Sequence, residues 1–144
     1  MKAAYKAAFT IEMDAYRAAE AGGDLDRAMT HLERAHIIGQ RYFVTHMRTH
    51  LAMLRLARRR NDAREMRGQL ARIAAVLPGY LFGWIPKGNT GGANVSAMKP
   101  MAAPTDLAPL LRDYSVAKDM AARLLLWTLA ALAIVAASNA GLNG

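Results

Sequence analysis

Histidine and glutamate side chains occur in this sequence at spacings that suit a metal site. Glu33 and His36 are three residues apart, and His46 and His50 are four residues apart. Side chains at these spacings project from one face of an α-helix. If the chain folds back on itself at Gly39-Gln40-Arg41, Glu33 lies opposite His50 and His36 lies opposite His46. The sequence therefore predicts that four side chains of metal-ligand type meet at one level of a helical hairpin.

A second glutamate joins this set from the first predicted helix. Glu12 faces Glu33 across a turn expected at Gly22-Gly23, and it lies on an apolar stripe, where a carboxylate needs a partner. Two carboxylates and three imidazoles suit zinc, iron or manganese. The predicted metal ligands are Glu12, Glu33, His36, His46 and His50. The alternative is a hydrogen-bonded polar network that only stabilises a helical core.

The remaining histidine does not fit the predicted site. His31 lies five residues before His36, about 140° around the helix, so we expect it to point elsewhere. The chain has no cysteine, which excludes a thiolate zinc site and a thiol nucleophile. The few serines are not placed near a histidine in the predicted layout, so any catalysis would have to depend on the metal.

The elements that position these residues are helices with a regular apolar period. The period predicts helices over about Ala3 to Ala21, Leu25 to Ile38, Tyr42 to Arg60 and Ala63 to Leu77. Turn residues at Gly22-Gly23 and Asn61-Asp62 separate the members of two hairpins, and Pro78-Gly79 is expected to end the fourth helix. The prediction is an all-α fold, an antiparallel bundle of two helical hairpins.

Two of these helices carry apolar stripes that define their expected inward faces. The third helix is expected to bury Phe43, Met47, Leu51 and Leu54, with the histidines among them. The fourth is expected to bury Met66, Leu70, Ile73 and Leu77, with Gln69 on the same face.

Composition divides the chain into three expected parts. Residues 1–78 form the four-helix bundle with the metal site, residues 79–105 form an irregular Gly- and Pro-rich segment packed on it, and residues 106–144 form a C-terminal helix. The middle part contains Gly88-Asn89-Thr90-Gly91-Gly92. This string lacks the Gly-Lys-Ser/Thr ending of a phosphate-binding loop, so we expect tight turns that cap the bundle.

The last part is strongly apolar. Residues 124–144 carry no charged side chain, and a helix of this length would extend ~31 Å, about one hydrocarbon core of a bilayer. Arg123 and Trp127 suit the interface between membrane and water. We predict that residues 124–141 span or lie in a membrane, with the basic N-terminal domain on the cytoplasmic side. A buried helix of a soluble domain is the alternative.

The net charge of +8 leaves two further function classes open. An accessory or structural subunit of a larger membrane protein complex would use the polar cluster for stability alone and hold no metal. A nucleic-acid-binding module is less favoured, because Lys and Arg are scattered over several helices. Only Arg58-Arg59-Arg60 forms a cluster, and no known reader motif accompanies it.

Several stretches of the chain together carry a family resemblance. They are Leu32-Glu33-Arg34-Ala35-His36-Ile37-Ile38-Gly39-Gln40, His46 with His50, Arg64-Glu65 with Gly68-Gln69, the long string from Ile85 to Ser96, and Lys99-Pro100-Met101. Over about residues 9–112 the sequence resembles a small bacterial family, domain of unknown function 3703. The resemblance implies that the His/Glu cluster and the glycine-rich loop form one module, and it implies no activity. Members typically end soon after Asp106-Leu107, so the apolar tail departs from the family pattern.

Overall fold

The computed structural model describes residues 1–142 of the chain. This part contains five α-helices, joined by turns and irregular segments, and no strand. They are α1 (Ala3–Ala21), α2 (Leu25–Gly39), α3 (Phe43–Arg59), α4 (Ala63–Phe82) and α5 (Val116–Leu142). Helix α1 packs against α2, α2 against α3, and α3 against α4. The predicted all-α bundle of two helical hairpins with a C-terminal apolar helix is therefore confirmed.

Short capped turns set the antiparallel geometry of both hairpins. Gly23 has a φ of +80°, a left-handed conformation that glycine adopts without a steric penalty. The Asp24 carboxylate then accepts a hydrogen bond from the backbone N–H of Arg27 at the start of α2. Asp62 caps α4 in the same way through the N–H of Glu65. Each cap satisfies a backbone donor that the helix itself leaves free.

The apolar core lies mainly between α1, α2 and α3. Its fully buried large side chains include Tyr16, Leu32, Ile38, Met53, Leu56 and Leu111. Burial of such side chains is the main force that holds the helices together, at about 1.5–3 kcal/mol for each.

The buried faces of α3 and α4 differ from the predicted ones. Leu51 is 50% exposed, and Leu70 and Leu77 are 57% and 52% exposed. The buried residues are instead His46, Thr49, His50, Ala52, Met53, Leu56 and Ala57 on α3, and Gln69, Val76 and Gly79 on α4. Hydrogen-bonded polar side chains occupy inward positions on both helices. A prediction from the apolar residues alone therefore turned the wrong face of each helix toward the interior.

The end of α4 also differs from the prediction. Pro78 lies inside the helix, which continues to Phe82 and ends at Gly83 with a φ of +77°. The ring of Tyr80, in the additional turn, packs edge-on against Phe43 with ring centroids 5.5 Å apart. This contact between helices holds the turn beyond the proline. The helix crosses the boundary expected at residue 78, and the division into 1–78, 79–105 and 106–144 stays a prediction.

Irregular structure connects α4 to α5. A helix was expected from about Asp106, but consecutive turns occupy this region and α5 begins only at Val116. The segment is nevertheless fixed, because Leu107 and Leu111 are buried in the core. The Tyr114 hydroxyl donates a hydrogen bond of 2.6 Å to the Ile85 carbonyl oxygen.

Helix α5 touches the bundle only near its start. Trp127 Nε1 donates a hydrogen bond of 3.0 Å to the Leu81 carbonyl oxygen, and the Arg123 guanidinium lies 4.3 Å from the centroid of the Tyr80 ring. The segment Val116–Asn139 contains an 18-residue window with a mean hydropathy of 2.0, and that window is 0% buried. One helix in the described chain is thus long and apolar enough to cross a membrane, and it is not a core helix of this bundle.

Candidate metal centre

Three histidine side chains from α2 and α3 meet in the interior. His36 comes from the last turn of α2, and His46 and His50 lie one turn apart on α3. Their exposures are 3%, 7% and 2%. The ring centroids form a nearly equilateral triangle with sides of 4.7, 4.7 and 4.8 Å. Three buried imidazoles this close together need hydrogen-bond partners or a shared ligand, because burial of an unpaired polar group costs free energy.

The Nε2 atoms of these histidines point toward one another. His50 Nε2 lies 3.0 Å from His46 Nε2 and 3.2 Å from His36 Nε2. The three ligand atoms of the group lie within 4.8 Å of one another. A tetrahedral ion with metal–nitrogen bonds of about 2.0 Å separates its ligand atoms by roughly 3.3 Å. The two spacings of 3.0 and 3.2 Å are therefore close to what a single metal ion requires.

Hydrogen bonds to the opposite ring nitrogens fix two tautomers. His36 Nδ1–H donates to the Asn89 carbonyl oxygen at 2.9 Å, and His50 Nδ1–H donates to Gln69 Oε1 at 2.7 Å. With the protons held on Nδ1, both Nε2 atoms present lone pairs. Two lone pairs 3.2 Å apart repel each other unless a cation lies between them. Such outer hydrogen bonds are the usual companions of histidine metal ligands.

Burial keeps the three imidazoles uncharged. It lowers the pKa of His46 to about 3 and the pKa of His50 to about 4, and the neighbouring imidazole adds to the effect on His46. The pKa of His36 is lowered well below its usual value by burial and by both other histidines. Because only the neutral imidazole binds a metal, all three residues are in the ligand form at neutral pH.

A polar network behind His50 joins the site to the glycine-rich loop. Gln69 Nε2 donates to Glu65 Oε1 at 2.7 Å and to the Gly91 carbonyl oxygen at 2.8 Å. These acceptors fix the orientation of the amide, so Gln69 Oε1 must face His50. Glu65 Oε2 in turn accepts from the Ala93 N–H at 2.8 Å. The chain of hydrogen bonds orients the imidazole of His50 and attaches the loop to α4.

The backbone of the loop lies directly against a histidine ring. Gly91 has a φ of +81°, and a Cβ atom there would lie 2.7 Å from His36 Cδ2. Asn89 shapes this close approach: its side-chain oxygen accepts from the Gly91 N–H, and its amide donates to the carbonyls of Ser96 and Lys99. Only glycine fits at position 91 without displacing the ring. The loop thus forms one wall of the site.

A cavity of about 60 Å³ adjoins the three histidines. Gln40, Arg72, Val76 and Trp84 line it as well. Three of the lining residues each have a buried polar atom without a hydrogen-bond partner in the described chain, namely Gln40 Oε1, His46 Nδ1 and Arg72 Nε. A water molecule needs about 10–15 Å³ of such volume. The cavity therefore has space and polar groups for a small ligand beside the imidazoles.

The predicted carboxylates lie outside the three-histidine group. Glu12 accepts a hydrogen bond of 2.6 Å from Arg34 Nε, and its other oxygen lies 2.8 Å from His31 Nδ1. The α1–α2 hairpin thus brings Glu12 to Arg34 and His31, on the opposite side of α2 from the site. Glu33 is half-buried next to Gly92, and both burial and the charge of Glu65 raise its pKa.

Other polar residues around the site were not predicted to take part. Gln40 follows His36 by four residues on the same helix, and Arg72 follows Gln69 by three. The spacing rule that paired the histidines could have found both of them. Asn89 comes from a distant loop, and its position depends on the tertiary fold alone.

Comparison with known proteins identifies the family. A family model described as "Protein of unknown function (DUF3703)" matches residues 3–111, and the chain belongs to that family. The resemblance noted in the sequence is thereby confirmed. No curated protein and no solved structure matches the chain. The matched region includes the three histidines, Gln69 and the glycine-rich loop, and it ends before α5.

Proposed function

We propose that this DUF3703 protein binds one transition-metal ion through the Nε2 atoms of His36, His46 and His50. The observation that supports this most directly is the convergence of Nε2 atoms at 3.0 and 3.2 Å while carbonyl-type oxygens hold the protons of His36 and His50 on Nδ1. Zinc is our first choice, because three neutral imidazoles are a common catalytic zinc set, and iron is the second. Manganese prefers oxygen ligands, and the carboxylates lie outside the group.

Three protein ligands leave a fourth position on a tetrahedral ion. The adjoining cavity supports an exchangeable ligand at that position, because it is lined by all three histidines and has room for several water molecules. We therefore propose an open rather than a closed site. An open zinc or iron site permits metal-assisted chemistry, whereas a purely structural ion would have four protein ligands.

The two carboxylates have supporting roles in this proposal. Glu12 forms an ion pair with Arg34 and a hydrogen bond with His31, and both contacts join α1 to α2. Glu33, on α2 one turn before His36, places a half-buried carboxyl group near Glu65. A bound divalent cation would favour the ionised form of Glu33, whose pKa burial raises.

Titration of the metal-free protein with zinc tests the site. We expect one tightly bound ion per chain, and loss of that binding in each of His36→Ala, His46→Ala and His50→Ala. His31→Ala and Glu12→Gln are matched controls that should retain it, since both residues lie outside the group. Equal loss in the controls and the histidine variants would contradict the assignment.

A second proposal concerns α5, which we infer anchors the module in a membrane with the basic domain on the cytoplasmic side. Its support is a 27-residue helix whose large apolar side chains are exposed, including Leu124 at 69% and Ile134 at 67%. Arg123 and Trp127 lie where this helix leaves the bundle, as residues at a membrane surface do.

Cell fractionation of the full chain and of a chain ending at Arg123 tests the anchor. We expect the full chain in the membrane fraction and the shortened one in the soluble fraction. If both are soluble, the anchor does not exist. Recovery of the full chain in a fixed ratio with a larger membrane protein, together with absence of metal, would favour the accessory-subunit alternative.

A further inference from the structure

The cavity beside the histidines contains a permanent positive charge that metal binding alone does not explain. Arg72, on α4, lines the same cavity as His36, His46 and His50. A divalent ion on the histidines and a guanidinium lining the same cavity repel each other in a medium of low dielectric constant. A bound anion between them would remove this repulsion.

We propose that the open position of the metal takes a small monoanion, of the size of formate or azide, and that Arg72 Nε donates a hydrogen bond to it. This inference rests on the proposed metal site and adds the class of its ligand. Carboxylates are the natural members of that class, because a carboxylate can ligate a metal with one oxygen and accept from a guanidinium with the other.

The hydrogen bonds of Arg72 hold its guanidinium in place. One terminal nitrogen donates to the carbonyl oxygens of Gly92 and Val95 at 2.8 and 2.6 Å, and the other donates to Gly68 at 3.3 Å. Nε, in contrast, is buried and has no partner in the described chain. A buried N–H without an acceptor is rare, and its usual explanation is a ligand or water at a functional site.

The charge of Arg72 lies close to the histidines, because Arg72 lines the same cavity as His36 and His50. None of the ion pairs formed among the described residues includes Arg72. Glu65, whose charge acts on Arg72, has its two oxygens bonded to Gln69 and Ala93. The positive charge facing the cavity is therefore only partly compensated.

The size and walls of the cavity limit the anion. The volume is about 60 Å³, and Val76, Trp84 and Ile85 give it a largely apolar lining. A one- or two-carbon carboxylate fits in this space. The apolar wall also strengthens the interaction between an anion and the two cationic groups, because it lowers the local dielectric constant.

Cobalt(II) provides a spectroscopic probe of this position in the full-length protein. Cobalt(II) replaces zinc in such sites, and its visible absorption changes when the fourth ligand is exchanged. We expect formate to change the spectrum in a saturable manner, and formamide, its uncharged analogue of the same shape, to bind at least about tenfold more weakly. Equal affinities for formate and formamide would overturn the proposal.

Substitution of Arg72 then tests the assignment of the donor. Arg72→Gln should weaken formate binding by about 10–100-fold, because a hydrogen bond between charged groups is lost. Arg67→Gln removes the same charge from an exposed position of α4 and should leave the affinity unchanged. If Arg72→Gln does not fold, the comparison of formate with formamide in the unmodified protein decides whether the position binds an anion.

The outcomes separate this inference from the metal proposal. A protein that binds no cobalt(II) would refute the metal site itself. A protein that binds cobalt(II) but shows the same spectrum with and without formate would refute only the anion site.

Discussion

Replacement of Gln69 by methionine should weaken metal binding without removing any ligand. Gln69 is 0% exposed and makes three hydrogen bonds, to His50 Nδ1, to Glu65 and to the Gly91 carbonyl. Methionine has a similar volume and keeps none of them. The His50 ring then loses the acceptor that holds its proton on Nδ1 and directs Nε2 toward the other histidines.

The expected magnitude follows from these contacts. Loss of an outer hydrogen bond to a metal-binding histidine lowers metal affinity by about 10–100-fold, which corresponds to about 1.4–2.7 kcal/mol. Folding stability should also fall, since each buried group left without a partner costs about 1–3 kcal/mol. The His50 N–H, the Gly91 carbonyl and Glu65 Oε1 are the groups affected.

Competition between the protein and a coloured zinc chelator measures the affinity, and thermal unfolding measures the stability. Thr49→Val is the matched control, because its hydroxyl donates to the His46 carbonyl oxygen at 2.8 Å but to no imidazole. That variant should lose stability and keep its zinc affinity. A folded Gln69→Met protein with unchanged zinc affinity would refute the role assigned to the Gln69–His50 hydrogen bond.

Further predictions concern pH, the loop and the α1–α2 ion pair. In the metal-free protein the pKa of His46 is about 3 and that of His50 about 4, against 6.5 in an unfolded chain, so the unfolded state binds more protons below pH 6.5. Stability should therefore be constant above this pH and decline below it by up to about 1.4 kcal/mol per pH unit for each group; urea unfolding across this range would show a flat profile if the reasoning is wrong. Gly91→Ala should destabilise by roughly 1–3 kcal/mol in thermal unfolding, because φ is +81° and the His36 ring blocks a Cβ atom. Gly23→Ala, with a φ of +80° but open space around it, should cost only about 1 kcal/mol, and equal costs would argue against the ring contact. Glu12→Gln should lower stability by about 1–3 kcal/mol through its bonds to Arg34 and His31 and leave zinc affinity unchanged; a weaker affinity would return Glu12 to the ligand set.

The sequence predicts the helices well because their boundaries depend on local chemistry. Helix α1 has the predicted bounds, since Gly22-Gly23 is a strong local stop. The predicted end of α4 at Pro78 was wrong for the opposite reason. The contact of Tyr80 with Phe43, which lies on another helix, outweighs the local effect of the proline. The turns before Val116 are a similar case, because burial of Leu107 and Leu111 decides their conformation.

The histidines of the site could be predicted because spacing on a helix determines which side chains share a face. His36, His46 and His50 meet as that argument requires. The pairing of Glu12 with Glu33 rested on symmetry about a turn, and the rotation of α1 against α2 instead directs Glu12 toward Arg34 and His31. Rotation of one helix about its axis depends on core packing, which residue spacing does not encode.

The most direct test is the metal content of the protein purified without a histidine tag and without added metal. Elemental mass spectrometry of the intact protein should find about one zinc or iron ion per chain, as three histidine ligands imply. A folded His36→Ala variant should contain none. An intact protein that contains no metal, and keeps its fold and unfolding temperature in the presence of a chelator, would show that the three histidines form a structural network instead.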